Sequence, residues 1–316
     1  MLAALLAATS ACDGNDTHYM GSHELADGSG EGGGAGAEGG SAMAGSPPTP
    51  GCGSATEPGQ RTITTTSGGA TRTYLLSVPE GYDATRPSPV VFGFHAGGDS
   101  SAQIRDYLGL ELVEPRGWAL FVYPDAMVRE FPEDWTVNGW LNGPSGDIYG
   151  GTEDLVFVRD VLSELENEYC VDAARIFAVG WGWGGDFASV VGCYVGDLFR
   201  AVVPTFANAP YYLPDVDAGD PACVGDCAVW VFHAKGDEEY PISFGYAHRD
   251  FWLQENDCRR DTPTPLIFPG FNADDECEAY TCSGPQTRFC AYTAEVGSGI
   301  PSAYYASATV EFLRSF

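Results

Sequence analysis

The chain of 316 residues carries 15 Lys and Arg against 44 Asp and Glu, which gives a formal net charge of -29 at pH 7. A surface this negative repels phosphate backbones and anionic lipid, which excludes nucleic acid and a charge-bound membrane as partners. Ten cysteines are unusual for a protein of the reducing cytosol, and they contain no paired CxxC pattern typical of a zinc site.

The first element is a short apolar run, Leu2 to Ala8, followed by small residues and Cys12. This pattern is typical of a bacterial lipoprotein signal, in which Cys12 becomes lipidated, so we assign residues 1–12 to a signal segment. An ordinary secretory signal with a chance cysteine is the alternative. The run is too short to span a bilayer, and both interpretations predict export.

Residues 13–51 consist mainly of Gly, Ser, Ala, Glu and Pro, with very few large apolar side chains. Such a segment buries too little apolar surface to offset the entropy of ordering, so we predict a flexible tether. We expect residues 13–50 to make no contact with the domain that follows. The remaining residues, 52–316, are predicted to form a single domain of a size suited to an α/β fold.

From residue 60 onward, apolar runs with strand character alternate with helical segments. One helical face carries Leu155, Val158, Leu162, Leu165 and Tyr169, with Thr152 as the N-cap, and a last helix from about Ser302 turns Val310 and Leu313 inward. This alternation predicts a three-layer α/β sandwich with a mostly parallel central sheet. The predicted strands are Tyr74–Val78, Val90–His95, Ala119–Tyr123, Ile176–Val179, Ala201–Val203, Val229–His233 and Arg288–Tyr292.

Three groups of residues follow the predicted strands, where active sites of open α/β sheets lie. The segment HAGG at 95–98 is a glycine-rich turn suited to an oxyanion hole. The segment GWGWG at 180–184 has the form of a nucleophile elbow, although its central position holds glycine rather than serine. Asp237 follows the strand that ends at His233, and we expect His233 and His248 to serve packing.

Several segments in this order resemble the secreted polyhydroxybutyrate depolymerase and feruloyl esterase group of α/β-hydrolases. They are RTYLLSVPEGYD, VVFGFHAGG, FVYPD, EDLVFVRDVLSELENEYCVDAARIFAVG, HAKGDEEYP, the opening GCG and the closing ATVEFLRSF. The resemblance covers residues 51–316. It implies an α/β-hydrolase fold, a triad in the order Ser, Asp, His, and ester hydrolysis without a metal or an organic cofactor.

Transferring the triad by this resemblance places the acid at Asp237, the nucleophile at Gly182 and the base at Ser298. No histidine lies in the last quarter of the chain. Glycine offers no hydroxyl for attack, and a serine cannot act as a general base near neutral pH. The backbone N–H groups of Ala96, Gly97 and Trp183 need no particular side chain, so we expect them to remain as an oxyanion hole.

The combined losses predict an exported, surface-tethered and catalytically degenerate member of this group, which retains a ligand cleft. Trp181, Trp183 and Tyr240 would offer flat apolar surfaces to a small ester, a sugar or a phenolic ring. Simple filling of the vacated triad by these rings is an equal alternative. An active esterase with an unconventional nucleophile and a structural lipoprotein scaffold also remain open.

With Cys12 lipidated, nine cysteines remain, so one should be unpaired or paired between chains. Cys170 precedes the strand that leads into the elbow, and Cys193 lies on the helix that runs back antiparallel to that strand. We therefore predict a Cys170–Cys193 disulfide, and a local disulfide between Cys223 and Cys227.

Overall fold

The central sheet has ten strands in the order β1-β2-β4-β3-β7-β8-β9-β12-β11-β10, and a separate hairpin pairs β5 with β6. A computed structural model describes residues 48–114, 116–131, 135–143, 149–210, 223–236, 240–294, 299 and 304–316. Its elements are β1 (Gly59–Ser67), β2 (Ala70–Val78), β3 (Ser88–Phe94), α1 (Ser101–Leu108), α2 (Leu110–Val113), β4 (Leu120–Pro124), β5 (Val128–Phe131), β6 (Trp135–Asn138), α3 (Glu153–Glu168), β7 (Val171–Trp181), α4 (Trp183–Tyr194), β8 (Ala201–Thr205), β9 (Ala228–Lys235), α5 (Ile242–Glu255), β10 (Cys258–Leu266), β11 (Glu276–Cys282), β12 (Thr287–Thr293) and α6 (Tyr305–Arg314).

Six strands in the middle of the sheet run parallel to one another, in the spatial order β4, β3, β7, β8, β9 and β12. The strands at the two edges, β1 and β2 on one side and β11 and β10 on the other, pair in antiparallel fashion. The parallel strands are nearly all buried, as expected for a sheet covered on both faces. Each apolar run that the sequence predicted as a strand overlaps one of β2, β3, β4, β7, β8, β9 and β12, with His95 and Ala119 just outside β3 and β4. The prediction of a mostly parallel central sheet is confirmed.

Helices cover both faces of the sheet, which confirms the three-layer architecture. One face packs Leu155 of α3, Phe187 of α4 and Trp252 of α5 into a single apolar cluster. The other face packs α1, α2 and α6, with Ile104 and Leu313 among the buried residues. Within the described ranges, none of the helices is both long and apolar enough to cross a membrane.

The predicted Cys170–Cys193 and Cys223–Cys227 disulfides are wrong. Cys170 pairs instead with Cys52, and Cys193 pairs with Cys223. The Gly51 N–H donates to the Glu166 carbonyl near the end of α3, and this contact brings Cys52 to Cys170. The Val224 N–H donates to the Cys193 carbonyl at 2.7 Å, which sets Cys223 beside α4.

Two more disulfides join residues that lie directly opposite each other on neighbouring strands. Cys258 of β10 pairs with Cys282 of β11, and Cys277 of β11 pairs with Cys290 of β12. Cys227 is buried and unpaired among the described residues, as the odd count of nine predicted. Four disulfides require an oxidising compartment, so the protein is exported.

The domain begins a few residues before Cys52. Thr49 donates its hydroxyl to the Tyr169 carbonyl at 2.9 Å, and the same oxygen accepts from the Val171 N–H. The expectation that residues up to 50 make no contact with the domain is therefore wrong for Thr49. Cys12 and the rest of the predicted signal and tether, up to residue 47, lie outside the described residues.

Candidate functional site

The turn between β7 and α4 has the sharp geometry that the GWGWG segment suggested. Gly182 occupies its tip with φ 58° and ψ -128°, a backbone conformation in the left-handed half of φ that favours glycine. Its N–H donates to the Thr205 carbonyl at 3.0 Å, and its own carbonyl accepts from the Asp186 N–H at 3.0 Å. The turn is thus tied to β8 on one side and to the first turn of α4 on the other.

Two further glycines allow the backbones around this turn to approach each other. A Cβ atom at Gly180 would lie 2.0 Å from the Gly184 carbonyl oxygen, and one at Gly184 would lie 2.2 Å from the Phe94 carbonyl oxygen. Real side chains do not tolerate such contacts with backbone atoms. The outer glycines of the GxSxG pattern therefore have their steric role here, although the serine is absent.

Few described residues border the space that a side chain at position 182 would enter. Among the described residues other than its chain neighbours Trp181 and Trp183, a Cβ atom placed on Gly182 would lie within 4 Å of one heavy atom, the Cβ of Ala96 at 3.3 Å. Gly182 itself is only half-buried. The turn therefore presents backbone, rather than a replacement side chain, at the position of the missing nucleophile.

The segment after β3 lies directly beside this turn. The Gly98 N–H donates to the Asn138 carbonyl at 3.0 Å, and the Asp99 N–H donates to the Ala96 carbonyl at 3.1 Å. The N–H groups of Ala96, Gly97 and Trp183 meet no hydrogen-bond acceptor within the part of the chain that the structure describes. The structure thus brings the three predicted donor residues to the neighbourhood of Gly182.

The Trp183 side chain lies beside the Gly97 and Gly139 backbones. A Cβ atom at Gly97 would lie 2.7 Å from its indole ring, and one at Gly139 would lie 2.5 Å from it. Three aromatic rings have centroids between 5.1 and 5.7 Å from its own, and we call this group the Trp183 cluster. Its members are Phe131, Trp135, Tyr149 and Trp183.

A second aromatic row borders the other side of the turn. The Trp181 ring packs against Tyr107 at 4.8 Å and against Phe206 at 6.3 Å, and Phe206 contacts Tyr240 at 5.3 Å. Phe206 has φ 51°, which is uncommon for a bulky residue. Gly182 therefore lies between two residues, Trp181 and Trp183, that each belong to a group of aromatic rings.

Known proteins with similar sequences are feruloyl esterases. Feruloyl esterase C of Emericella nidulans is 28% identical over 256 residues, covering 77% of this chain and 84% of the relative. Feruloyl esterase D of Neurospora crassa is 24% identical over 230 residues, covering 69% of this chain and 71% of the relative. No family model matches the chain.

Solved structures agree at the level of the fold. An acetyl xylan esterase from Aspergillus awamori superposes with a TM-score of 0.63 at 11% identity, covering 81% of this chain and 99% of that chain. A ferulic acid esterase superposes with a TM-score of 0.52 at 18% identity, covering 82% and 98%. The chain is a feruloyl esterase-like α/β-hydrolase.

The three histidines that the structure describes are all buried, as expected for packing residues. His95, His233 and His248 are each 0% exposed. The His248 ring lies 2.5 Å from the Ser189 hydroxyl and 3.2 Å from the Ala207 carbonyl, and burial lowers its pKa to about 3. His18 and His23 lie outside the described residues.

The acid position, Asp237, and the base position, Ser298, also lie outside the described residues. The described residues beside them are Gly236, directly after β9, and Gly299, shortly before α6. In the described ranges, no group of three or more His, Cys, Asp or Glu side chains is arranged to hold a metal ion.

Sequence reasoning missed the residues that fix the chain on both sides of Ser298. Asp275 accepts from the Thr293 N–H with one carboxylate oxygen and from the Tyr304 hydroxyl with the other, at 2.7 and 2.9 Å. Tyr305 hydrogen-bonds the Thr205 hydroxyl at 2.7 Å, and the Thr205 carbonyl accepts from Gly182. No motif marks these residues, because each acts through a partner that is distant in sequence.

Proposed function

We propose that this exported hydrolase-fold protein does not hydrolyse esters by a Ser-His-Asp mechanism, and that it binds a ligand in the cleft at Gly182. The observation that carries the proposal is Gly182 itself, which occupies the tip of a fully formed nucleophile elbow and has no side chain to attack with. The glycines around it keep the turn in place.

The histidines support the loss of chemistry. A serine triad needs an imidazole that reaches the nucleophile, and the described His95, His233 and His248 are all buried. An oxyanion hole without its triad gives only about 10³-fold acceleration over water, which is too little for a dedicated esterase. Loss of both the nucleophile and the base therefore favours a binding role over slow catalysis.

The ligand class follows from the cleft and from the charge of the chain. Trp181 and Trp183 lie on either side of Gly182, each within an aromatic group that can contact a flat apolar surface. The net charge of -29 disfavours a free acid. We propose a neutral ligand of modest size, either a phenolic ester or a sugar, with backbone N–H groups of Gly97 and Trp183 donating to its carbonyl or hydroxyl oxygen.

We also propose that the protein is held at a surface through lipid on Cys12. The sequence pattern before Cys12 and the glycine-rich tether that follows it support this proposal. A Cys12→Ser variant should move from the detergent phase to the aqueous phase on detergent partitioning. A wild-type protein found in the aqueous phase would contradict the anchor.

Hydrolysis is tested with 4-nitrophenyl butyrate and methyl ferulate, together with a fluorophosphonate probe. The wild-type protein should show no turnover and no labelling. Gly182→Ser alone should add little, because no base activates its hydroxyl, whereas Gly182→Ser combined with Ser298→His should raise the turnover measurably. Clean turnover by the wild-type protein would overturn the proposal and would favour an esterase with an unconventional nucleophile.

Binding is tested by calorimetric titration of the wild-type protein with methyl ferulate and with methyl β-xyloside. A Trp183→Phe variant should bind the preferred ligand more weakly, and Trp118→Phe should not, because Trp118 packs against Phe121 and Phe177 instead. An absence of heat with both ligands would contradict the ligand cleft and would leave the structural scaffold as the better interpretation.

A further inference from the structure

His95 links three chain segments around the turn that follows β3. Its side chain is fully buried, with Nε2 lying 3.0 Å from the Ala126 backbone nitrogen and Nδ1 lying 2.6 Å from the Ala96 carbonyl oxygen. Its own carbonyl accepts from the Trp140 indole N–H at 2.8 Å. A side chain that only filled space in the core would make neither of the two ring hydrogen bonds.

The partners of His95 determine its protonation. A backbone N–H can only donate, so Nε2 must accept from Ala126 and carries no proton. The proton of the neutral ring is then on Nδ1, which donates to the Ala96 carbonyl. Burial lowers the pKa of His95 against the opposing effects of the hydrogen bond to the Ala96 carbonyl and of three nearby carboxylates, which agrees with a neutral ring.

The bonded carbonyl fixes the direction of a neighbouring donor. The Ala96 carbonyl and the Gly97 N–H belong to one trans peptide group, so they point in opposite directions. With the carbonyl held by His95, the N–H faces away from His95. The Asp99 N–H also reaches this carbonyl, at 3.1 Å. The turn closed by this hydrogen bond contains Gly97 and Gly98, which are both exposed. Because glycine adopts many backbone conformations, the Ala96–Gly97 peptide could reorient without the His95 contact.

We propose that His95 is a positioning residue, whose Nδ1–H orients the Ala96–Gly97 peptide so that the Gly97 N–H stays directed at the site beside Gly182. The orientation itself does not depend on which ligand binds there. Only the use of this N–H by a ligand rests on the proposed function.

The wild-type protein gives a first test through the ¹⁵N shifts of the His95 ring at pH 7. We expect a neutral ring with the proton on Nδ1 and a non-protonated Nε2. A protonated Nε2, or a charged ring, would overturn the proposal, since the Ala126 N–H could not then donate to the ring.

Two substitutions separate the two contacts of the ring. In His95→Asn, the amide nitrogen occupies a place equivalent to Nδ1 and can still donate to the Ala96 carbonyl. In His95→Gln, the amide oxygen reaches the place of Nε2 and can still accept from Ala126, but the donor to Ala96 is lost. Both variants remove the same aromatic ring, so a purely structural role predicts similar effects for both.

Residual dipolar couplings report the direction of the Gly97 N–H in the full-length protein. The Gly97 N–H coupling should change in His95→Gln and should match the wild-type value in His95→Asn. The coupling of the Trp183 backbone N–H serves as the internal reference. Equal couplings in both variants, or a change in His95→Asn alone, would overturn the proposal. This result is independent of ligand titration, so failure of the positioning role and failure of the binding function are distinguishable.

Discussion

The turn after β3 and the turn after β7 lie side by side at the same edge of the sheet, but different interactions hold them. The turn after β3 has side-chain hydrogen bonds in addition to its backbone ones, with the His95 ring hydrogen-bonded to Ala96 and Ala126 and the Asn138 amide donating to the Asp99 carbonyl. The turn after β7 depends on backbone hydrogen bonds and on glycines that allow close approach.

This difference explains how a nucleophile position can be lost without loss of the fold. A serine side chain at position 182 takes no part in the hydrogen bonds or close contacts that define the turn, so glycine preserves the geometry. The turn after β3 tolerates fewer substitutions, because its shape also depends on the donor and the acceptor that the His95 side chain provides. Substitutions in the two regions should therefore fail for different physical reasons.

The largest loss of stability is expected for Asp154→Asn, which tests the buried ion pairs near the turn after β3. Asp154 is fully buried and accepts from Arg72, Arg129 and the Leu141 N–H. Removing its charge leaves the buried Arg72 without compensation and should lower the free energy of unfolding by about 3–5 kcal/mol in denaturant titrations.

The matched control for this prediction is Asp106→Asn. Asp106 pairs with Arg105 at the surface, with its side chain 69% exposed, so its loss should change the free energy of unfolding by about 1 kcal/mol or less. Equal losses at the two positions would show that the buried ion pairs have no special role in this region.

Gly184→Ala tests the close backbone contacts of the other turn. Its Cβ would lie 2.2 Å from the Phe94 carbonyl oxygen, so the backbone must move, and we expect a loss of about 3 kcal/mol. Gly192→Ala, on the same helix, is the control, because the three atoms nearest to its Cβ would belong to side chains, those of Val202 at 2.9 Å and 3.3 Å and of Trp252 at 3.5 Å. Thermal unfolding that ranks Gly192→Ala as the more damaging change would contradict this account.

Gly182→Ser should destabilise the protein by about 1–3 kcal/mol, because a residue with a side chain is strained at φ 58° and ψ -128°. Gly182→Ala carries the same backbone strain without the hydroxyl, so the two variants should unfold at similar denaturant concentrations. If only one of them is destabilised, backbone strain is not the cause. The result would measure the stability that the protein gains from its glycine.

The smallest effect concerns Asp186, one helical turn after Gly182. Burial raises its pKa to about 7, against hydrogen bonds from Asn208 that lower it. The native state then binds more protons than the unfolded state between about pH 4 and pH 7, so stability falls as the pH rises through this window. Asp186→Asn should remove this slope and raise stability at pH 8 by about 1–2 kcal/mol, less than the whole pKa difference would give, because Asp186 is only half-buried.

Unfolding measured at pH 4.5 provides the reference for this last prediction, since Asp186 is protonated in the native state there. The wild-type protein and Asp186→Asn should have similar stability at that pH. An Asp186→Asn variant that is less stable at pH 8 would mean that the ionised carboxylate contributes favourably.

The core strands and the glycine turns were predictable because their signals are local. A strand buried on both faces needs a continuous apolar run, as in Val90–His95, and a sharp turn with close backbone contacts needs glycines at fixed spacing, as at Gly180 and Gly184. The outer strands β1 and β10 were missed, because exposed edge strands such as these are largely polar and carry no such run.

The sequence by itself determined the layered fold, the family resemblance and the absence of a side chain at position 182. The tertiary structure alone decided that Cys170 pairs with Cys52, that His95 donates to the Ala96 carbonyl, and that Asp275 joins Thr293 to Tyr304. The physical reason is the range of the interactions. Periodicity and glycine spacing act within a few residues, whereas a disulfide or a buried hydrogen bond depends on which distant segments the folded chain brings together.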